Sequence, residues 1–252
     1  MRCKQCNDKG LIIKCNDKKN IYAVPCDCIR KKRDLSLYEK SGLSPLLKEA
    51  TFDKFDFSYY STQRIDEVKG LSYAETARIT FKAAKKFVER FLKGRYTRGL
   101  LFTGSVGSGK TFLAACIANS VIKQGGEVLF IVVPDWLDQI RFTYGIKHAN
   151  NFQYSHETTE MQLMEKAKNV QLLILDDLGA HNYTEWTKNK LYSIINYRLN
   201  YKLATVVTTN LMEDIEEHLG ERTASRLYQM CDLYRLLVDT NIRYANKLKY
   251  KI

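Results

Sequence analysis

Eight consecutive residues, Gly104-Ser105-Val106-Gly107-Ser108-Gly109-Lys110-Thr111, fit the pattern G-x-x-x-x-G-K-[ST] in full. Glycines let a backbone turn through φ values that other residues avoid, and so aim several N–H groups at one anion. The apolar run Leu100-Leu101-Phe102 precedes the motif, and Phe112 to Lys123, rich in Ala, Ile and Val, follows it. That is the strand–loop–helix setting the pattern needs before it counts as a phosphate-binding loop. A helix opening near Lys110 adds the positive end of its dipole. Lys110 is then placed to reach the β- and γ-phosphates, and the Thr111 hydroxyl to ligate Mg²⁺. Gly104 to Phe112 are the candidate nucleotide contacts. The motif points to a nucleoside triphosphate and is silent on how its energy is used.

Leu172-Leu173-Ile174-Leu175-Asp176-Asp177 reads as a buried strand ending in two carboxylates. Burying adjacent acids without cause is costly. At the carboxyl end of a strand in a nucleotide-binding sheet, Asp176 would hold Mg²⁺ through its water shell and Asp177 would orient or deprotonate an attacking water. Val206-Val207-Thr208-Thr209-Asn210 is a further strand with a polar end, where Asn210 could hydrogen-bond the γ-phosphate or that water. In Gly220-Glu221-Arg222-Thr223-Ala224-Ser225-Arg226-Leu227 two arginines stand four residues apart, on one helical face. Arg226 is a candidate arginine finger for a neighbouring subunit's site, and Arg243 a candidate γ-phosphate sensor within the same chain.

A second kind of chemistry lies at the N-terminus. Five of the seven cysteines fall within the first 28 residues, as Cys3-x-x-Cys6, Cys15 and Cys26-x-Cys28. Cys3, Cys6, Cys26 and Cys28 can offer four thiolates to a tetrahedral Zn²⁺, with Cys15 as an alternative to one of them. So short a segment has no core of its own, and the metal would supply its folding energy. Four thiolates leave no open coordination position, which makes the role structural. Arg30-Lys31-Lys32-Arg33 follows, either as the start of a solvated linker or as a phosphate contact.

The elements that must position these residues alternate strand and helix. Strands are expected at Leu100–Thr103, Val128–Val133, Leu172–Leu175, Thr205–Thr208 and Leu236–Val238. This alternation implies an α/β fold with a parallel sheet covered on both faces. One strand separates the phosphate-loop strand from the acidic strand in sequence, which leaves room for a strand inserted between them in the sheet. Before this core, residues 71–93 read as an amphipathic helix, with Ala77, Phe81, Ala84, Val88 and Phe91 at three- and four-residue steps and Gly94 as its stop. Residues 1–34 form the expected zinc module, 35–70 a connector and 71–252 the nucleotide-binding domain. The connector's Phe52, Phe55, Phe57, Tyr59 and Tyr60 are expected to pack on the core, with base stacking as the alternative.

The chain has 252 residues and a net charge of +12. Residues 1–100 hold 23 Lys+Arg against 12 Asp+Glu, whereas residues 101–252 hold 17 against 16, so the basic surplus precedes the core. A basic region on a neutral core suits an anionic partner such as nucleic acid, or simply a basic solvated surface. No apolar run approaches the ~20 residues of a membrane span, and no apolar leader follows Met1. The expected compartment is the cytoplasm, with no membrane partner.

Together these residues resemble an AAA+ ATPase of the DnaC/DnaI helicase-loader group. GSVGSGKT at 104–111 resembles its Walker A, LLILDDLG at 172–179 its Walker B, VVTTN at 206–210 its sensor 1, and GERTASRL at 220–227 the segment of its arginine finger, matching Arg226. The cysteine-rich head resembles the zinc module of several members. The resemblance implies an ATPase that uses ATP and Mg²⁺, self-associates through its nucleotide sites, engages a DnaB-type replicative helicase through its N-terminal region and contacts single-stranded DNA. Arg141, Phe142, Tyr144 and Lys147 mix basic and aromatic side chains and are the candidates for the DNA contact. Asp177 stands where most AAA+ proteins carry Glu, one methylene longer, which suits a slow, switch-like ATPase. The short stretch after the last expected strand implies a core lacking the C-terminal lid, as in the loaders and in the IstB-type transposition helpers. The latter, which bind duplex DNA, are the rival resemblance.

Overall fold

The structure is a computed structural model that describes residues 3–16, 20–145, 159–180, 183–211 and 214–249. The chain opens with an antiparallel hairpin of β1 (Leu11–Cys15) and β2 (Ile21–Pro25), followed by helix α1 (Asp27–Lys40). Helix α1 runs unbroken across residue 34, and its Leu37 and Tyr38 rest on the main core. Three single turns of 3₁₀ helix, Leu47–Glu49, Phe52–Lys54 and Phe57–Tyr59, then lead to a short hairpin of β3 (Ile65–Asp66) and β4 (Leu71–Ser72).

Helix α2 (Tyr73–Leu92) has a defined start: the Ser72 hydroxyl accepts from the Glu75 N–H while the Glu75 carboxylate accepts from the Ser72 N–H. This capping box satisfies two donors that a helix end otherwise leaves open. Its inward face buries Ala77, Ala84, Phe87 and Val88, with Phe81 and Phe91 packed alongside.

The main sheet contains β5 (Gly99–Thr103), β6 (Val128–Val132), β7 (Leu172–Asp176), β8 (Ala204–Thr208) and β9 (Cys231–Arg235). The strands are parallel and ordered β6-β7-β8-β5-β9. Strand β8 therefore lies between the phosphate-loop strand and the acidic strand. Helices α3 (Lys110–Lys123), α4 (Val133–Gly145), α5 (Glu160–Asn169), α6 (Glu185–Asn200), α7 (Ile215–Leu219), α8 (Glu221–Met230) and α9 (Ile242–Lys249) complete the elements of the described residues.

Side chains alternate between two cores, as the pleat requires. Leu100, Phe102, Ile174 and Val206 join α2 and α3 on one face of the sheet; Leu101, Leu173, Leu175 and Val207 join residues of α4 to α8 on the other. Arg198 of α6 is fully buried. Its guanidinium donates to the carbonyls of Ala167, Lys168, Val170 and Ala204 and to Thr205 Oγ1, tying the end of α5 to the start of β8. Burial pulls its pKa down to about 9.

Two expectations need correction. The last strand is Cys231–Arg235, not Leu236–Val238. Among the described residues it is an edge strand with β5 as its sole neighbour, so half-exposed Asp232, Leu233 and Tyr234 hide the apolar signal of a buried strand. Leu236 is buried just beyond its end, where its N–H donates to Thr103 O. Val133, expected to end a strand, instead opens α4.

The connector aromatics do pack inward. Phe55 and Tyr60 are buried and stacked on one another, and Phe52, Phe57 and Tyr59 lean on the same core. This favours packing over base stacking for the group.

Candidate functional site

The loop between β5 and α3 returns on itself above the sheet. Gly104, Gly107 and Gly109 have φ values of 139°, 74° and 91°. At two of them close approach matters as much as φ: a methyl on Gly104 would collide with the Leu236 carbonyl, and one on Gly107 with the Asn241 side chain. Gly109 is the N-cap of α3 and offers no side chain to the helix's first N–H groups, leaving that end suited to an anion.

Lys110 is 5% exposed, and its ammonium donates to Gly104 O at 2.9 Å and Ser105 O at 2.8 Å. Burial lowers its pKa to about 8; Asp177 and Asp176 act to raise it, and Arg243 to lower it. A glycine-shaped loop, an uncapped helix start, a buried ammonium and a nearby guanidinium fit the phosphates of a nucleotide. The loop is also held from behind. Tyr60 Oη donates to Ser108 O at 2.7 Å, Ile242 N–H to Gly107 O at 3.1 Å, and Val238 N–H to Ser105 Oγ at 3.3 Å.

The acids lie at the ends of β7 and β8, which run side by side. Asp176 is buried, and its pKa is raised chiefly by that burial; hydrogen bonds from Thr208 and Thr111 oppose the shift, and the Asp177 charge adds to it. Thr208 Oγ1 donates to Asp176 Oδ1 at 2.6 Å and accepts the Asp177 N–H at 3.0 Å. Thr111 and Asp176, the two expected Mg²⁺ ligands, are thus in contact, and a hydroxyl beside a carboxylate is a donor set that fits a hard divalent cation.

Asp177 adopts φ 58°, a left-handed conformation uncommon outside glycine. Asn210 Nδ2 donates to its Oδ1 at 2.9 Å. Asp176, Asp177 and Asn210 therefore form one polar cluster across two strands, facing the lysine of the loop.

The remaining expected residues are placed as follows. Arg243, exposed near the start of α9, acts electrostatically on Lys110. Arg226 on α8 bonds Gln229 of its own helix at 3.0 Å, and the contacts that build the phosphate site do not include it. Arg141 is ion-paired to Asp138, and Phe142 is 74% exposed on α4. The Tyr144 side chain and Lys147 lie outside the described residues.

Thr208, Thr209, Tyr60 and Asn241 were not singled out from the sequence as site residues. Thr209 Oγ1 donates to Leu178 O at 2.6 Å and so fixes the turn after the acids. The run Thr208-Thr209 before Asn210 was a legible signal; Tyr60 and Asn241 offered none.

At the N-terminus the sulfurs of Cys3, Cys6, Cys26 and Cys28 all lie within 4.8 Å of one another. Cys3 and Cys26 sulfurs are 3.7 Å apart and those of Cys6 and Cys28 3.3 Å. Zinc–thiolate bonds of about 2.3 Å give tetrahedral S···S edges of about 3.8 Å, so the cluster fits zinc. The Gly10 N–H donates to Cys6 Sγ at 3.3 Å. Cys15 is exposed on β1 and outside the cluster, its thiol directed to Asn16 O.

A phosphate loop on β5, with the acid-bearing β7 one strand away across β8, defines a nucleotide-binding core of the AAA+ type. The chain belongs to the IstB-like family: the family model described as "IstB-like ATP binding protein" matches residues 27–225. It is 28% identical over 191 residues to the replicative helicase loader DnaC of Escherichia coli K12, covering 75% of this chain and 67% of that protein. It is 30% identical over 203 residues to DnaC of Buchnera aphidicola subsp. Baizongia pistaciae, covering 79% and 72%. Among solved structures it resembles a DnaC helicase loader, with a TM-score of 0.56 at 23% identity, covering 78% of this chain and all of that one.

Proposed function

We propose that this chain is an ATP-dependent DNA replication protein that loads a DnaB-type replicative helicase onto single-stranded DNA. One observation carries the reading: a core like that of DnaC is joined to an N-terminal module whose hairpin presents bare apolar side chains. Leu11 is 51% exposed, and Ile13 and Ile21 are each 75% exposed. Register places Leu11, Ile13 and Ile21 on one face of the hairpin. A small module with an apolar face of this kind suits a protein partner better than water.

In this reading the loop N–H groups and Lys110 hold the triphosphate, Thr111 and Asp176 hold Mg²⁺, and Asp177, aimed by Asn210, orients the attacking water. Arg243 senses the γ-phosphate in the same chain, and Arg226 reaches a neighbouring subunit's site. Mg²⁺, when bound, neutralises charge developing on the phosphates. Zn²⁺ on the four cysteines holds the module together. No helix among the described residues is long and apolar enough to cross a membrane.

The test is reconstitution with the replicative helicase of the same cell. Full-length protein with ATP should form a complex with that helicase and place it on single-stranded DNA, and Ile13→Glu with Ile21→Glu should abolish capture while leaving ATP binding intact. Capture unaffected by both changes, or no capture by the wild type, refutes the reading.

The family description favours a second reading, a transposition helper of the IstB type that coats duplex DNA as an ATP-driven oligomer. Nucleotide-dependent filaments on duplex, with no helicase capture, would establish it in place of the first.

A further inference from the structure

We propose that the outward face of α2 is a track for a nucleic-acid backbone, a site separate from the nucleotide pocket and from the cysteine module. Residues 73–98 carry eight Lys+Arg and two Glu, so about a tenth of the chain supplies half of its net +12. Arg78, Lys82, Lys85, Lys86, Arg90 and Lys93 are all exposed, and the row continues to Arg95. From Arg78 to Lys93 the row extends about 22 Å along the helix.

Arg90 is fixed to Tyr96 O, and Arg78 interacts with Glu75. Among the described residues, no ion pair engages Lys82, Lys85, Lys86, Lys93 or Arg95. Glu89 stands within this row, three or four residues from Lys85, Lys86 and Lys93, and is likewise in no ion pair. Arg78–Lys82, Lys82–Lys85, Lys82–Lys86, Lys86–Arg90 and Arg90–Lys93 are like-charge pairs at helical spacing, each unfavourable by a few tenths of a kcal/mol. Folding gains nothing from them: the capping box and the buried face of Ala77, Ala84, Phe87 and Val88 already hold the helix. A polyanion laid along the row would relieve that repulsion.

The same face disfavours other anionic surfaces. A membrane-bound helix turns its apolar face outward, whereas that of α2 is occupied by the protein core. A protein interface needs a buried apolar or aromatic centre, and the exposed large hydrophobics of α2, Ile79 and Leu92, only flank the row between Lys82 and Arg90. Phosphates in series require neither. The inference holds equally for a loader and for a transposition helper.

The test is fluorescence anisotropy on full-length zinc-loaded protein with Mg²⁺ and a non-hydrolysable ATP analogue, using single- and double-stranded oligonucleotides of one sequence over a salt series. The variant is K82E/K85E/K86E, with K82Q/K85Q/K86Q carrying the test if the first fails to fold. Each lost phosphate contact lowers the slope of log K against log salt by about 0.7 on single strands and 0.9 on duplex. The expected result is at least a tenfold loss at low salt and a slope smaller by about two to three, with affinity for the ATP analogue unchanged; the strand form that loses more is the one the track holds. Unchanged affinity and slope on both forms, or no binding by the wild type, would overturn the proposal.

Discussion

Replacing Thr208 with valine removes one hydroxyl and leaves the shape of the side chain in place. Thr208 is 1% exposed, so a volume-conserving change opens no cavity and solvent cannot substitute for the lost group. Two interactions go with it: the 2.6 Å bond donated to the Asp176 carboxylate and the 3.0 Å bond accepted from the Asp177 N–H. A hydrogen bond to a charged acceptor contributes about 1.5–3 kcal/mol and a neutral one about 1 kcal/mol. The expected loss near neutral pH is about 2–4 kcal/mol, or roughly 5–15 °C in melting temperature for a chain of this size.

The pH dependence gives a second reading of the same change. Burial raises the Asp176 pKa above its ordinary value while the Thr208 bond opposes it. The folded protein therefore holds that proton more tightly than the unfolded chain, and its contribution to stability is lost as pH rises through the folded pKa. Without the bond the pKa climbs further, so the gap between variant and wild type narrows as the pH is lowered. Thermal denaturation at neutral and mildly acidic pH measures both effects, with Thr208→Ser as the variant that restores the hydroxyl. ATP turnover should fall at least tenfold, since Asp177 loses the anchor of its strained backbone. A Thr208→Val protein within about 0.5 kcal/mol of wild type at neutral pH, with normal turnover, would refute the assignment of Thr208 as the residue that positions both acids.

Further outcomes follow from the other buried groups. Lys110, held at about 8 rather than 10.5, is less protonated in the folded than in the unfolded protein between those values, so its contribution to stability rises with pH across that window. A bound triphosphate raises that pKa again, and binding near pH 8 should take up protons, seen by calorimetry in buffers of different ionisation enthalpy; no uptake would contradict a lysine–phosphate contact. Zinc analysis should find one ion per chain in wild type and in Cys15→Ser, and its loss in Cys26→Ser; retention in the latter would move the ligand set. Arg198→Met strands four backbone carbonyls, and urea denaturation should show a loss of more than about 3 kcal/mol, with Arg198→Lys intermediate.

What the sequence disclosed followed from how local each signal is. The phosphate loop is one unbroken string, and β5, β7 and β8 are apolar runs because neighbours cover them on both sides. Helix α2 was legible over 71–93 from its apolar steps, while its start at Tyr73 is set by the capping box of Ser72 and Glu75. Strand β9 was misplaced because an edge strand need not be apolar, and the apolar Leu236-Leu237-Val238 just beyond it packs at the loop instead of in the ladder. Thr208 is nearly as local as Asn210, but its role depends on β8 lying beside β7, and sequence spacing left the identity of the inserted strand open. Tyr60 and Asn241 are 48 and 134 residues from the loop atoms they touch, Ser108 and Gly107, and only the folded chain brings them there.

Those two distant residues alter how the loop itself is understood. Its glycines are usually explained by the φ values an anion-binding turn demands. Here Gly104 and Gly107 also lie where the chain after β9 passes against them, and Ser108 is tied to the connector through Tyr60. The backbone that would grip a triphosphate is thus continuous, through single hydrogen bonds, with the connector on one side and with the helix bearing Arg243 on the other. Two further anchors of the connector are equally specific: Asp66 beside β4 is buried against Arg235 at the end of β9 at 3.0 Å, and Arg64 pairs with Asp239. A displacement of the loop on nucleotide binding would therefore act on residues 60–66 and 236–243 together, two segments that meet each other as well as the loop. A signal from a bound nucleotide to the N-terminal module would need no long relay through the sheet, because the segment leading to that module touches the phosphate loop through Tyr60.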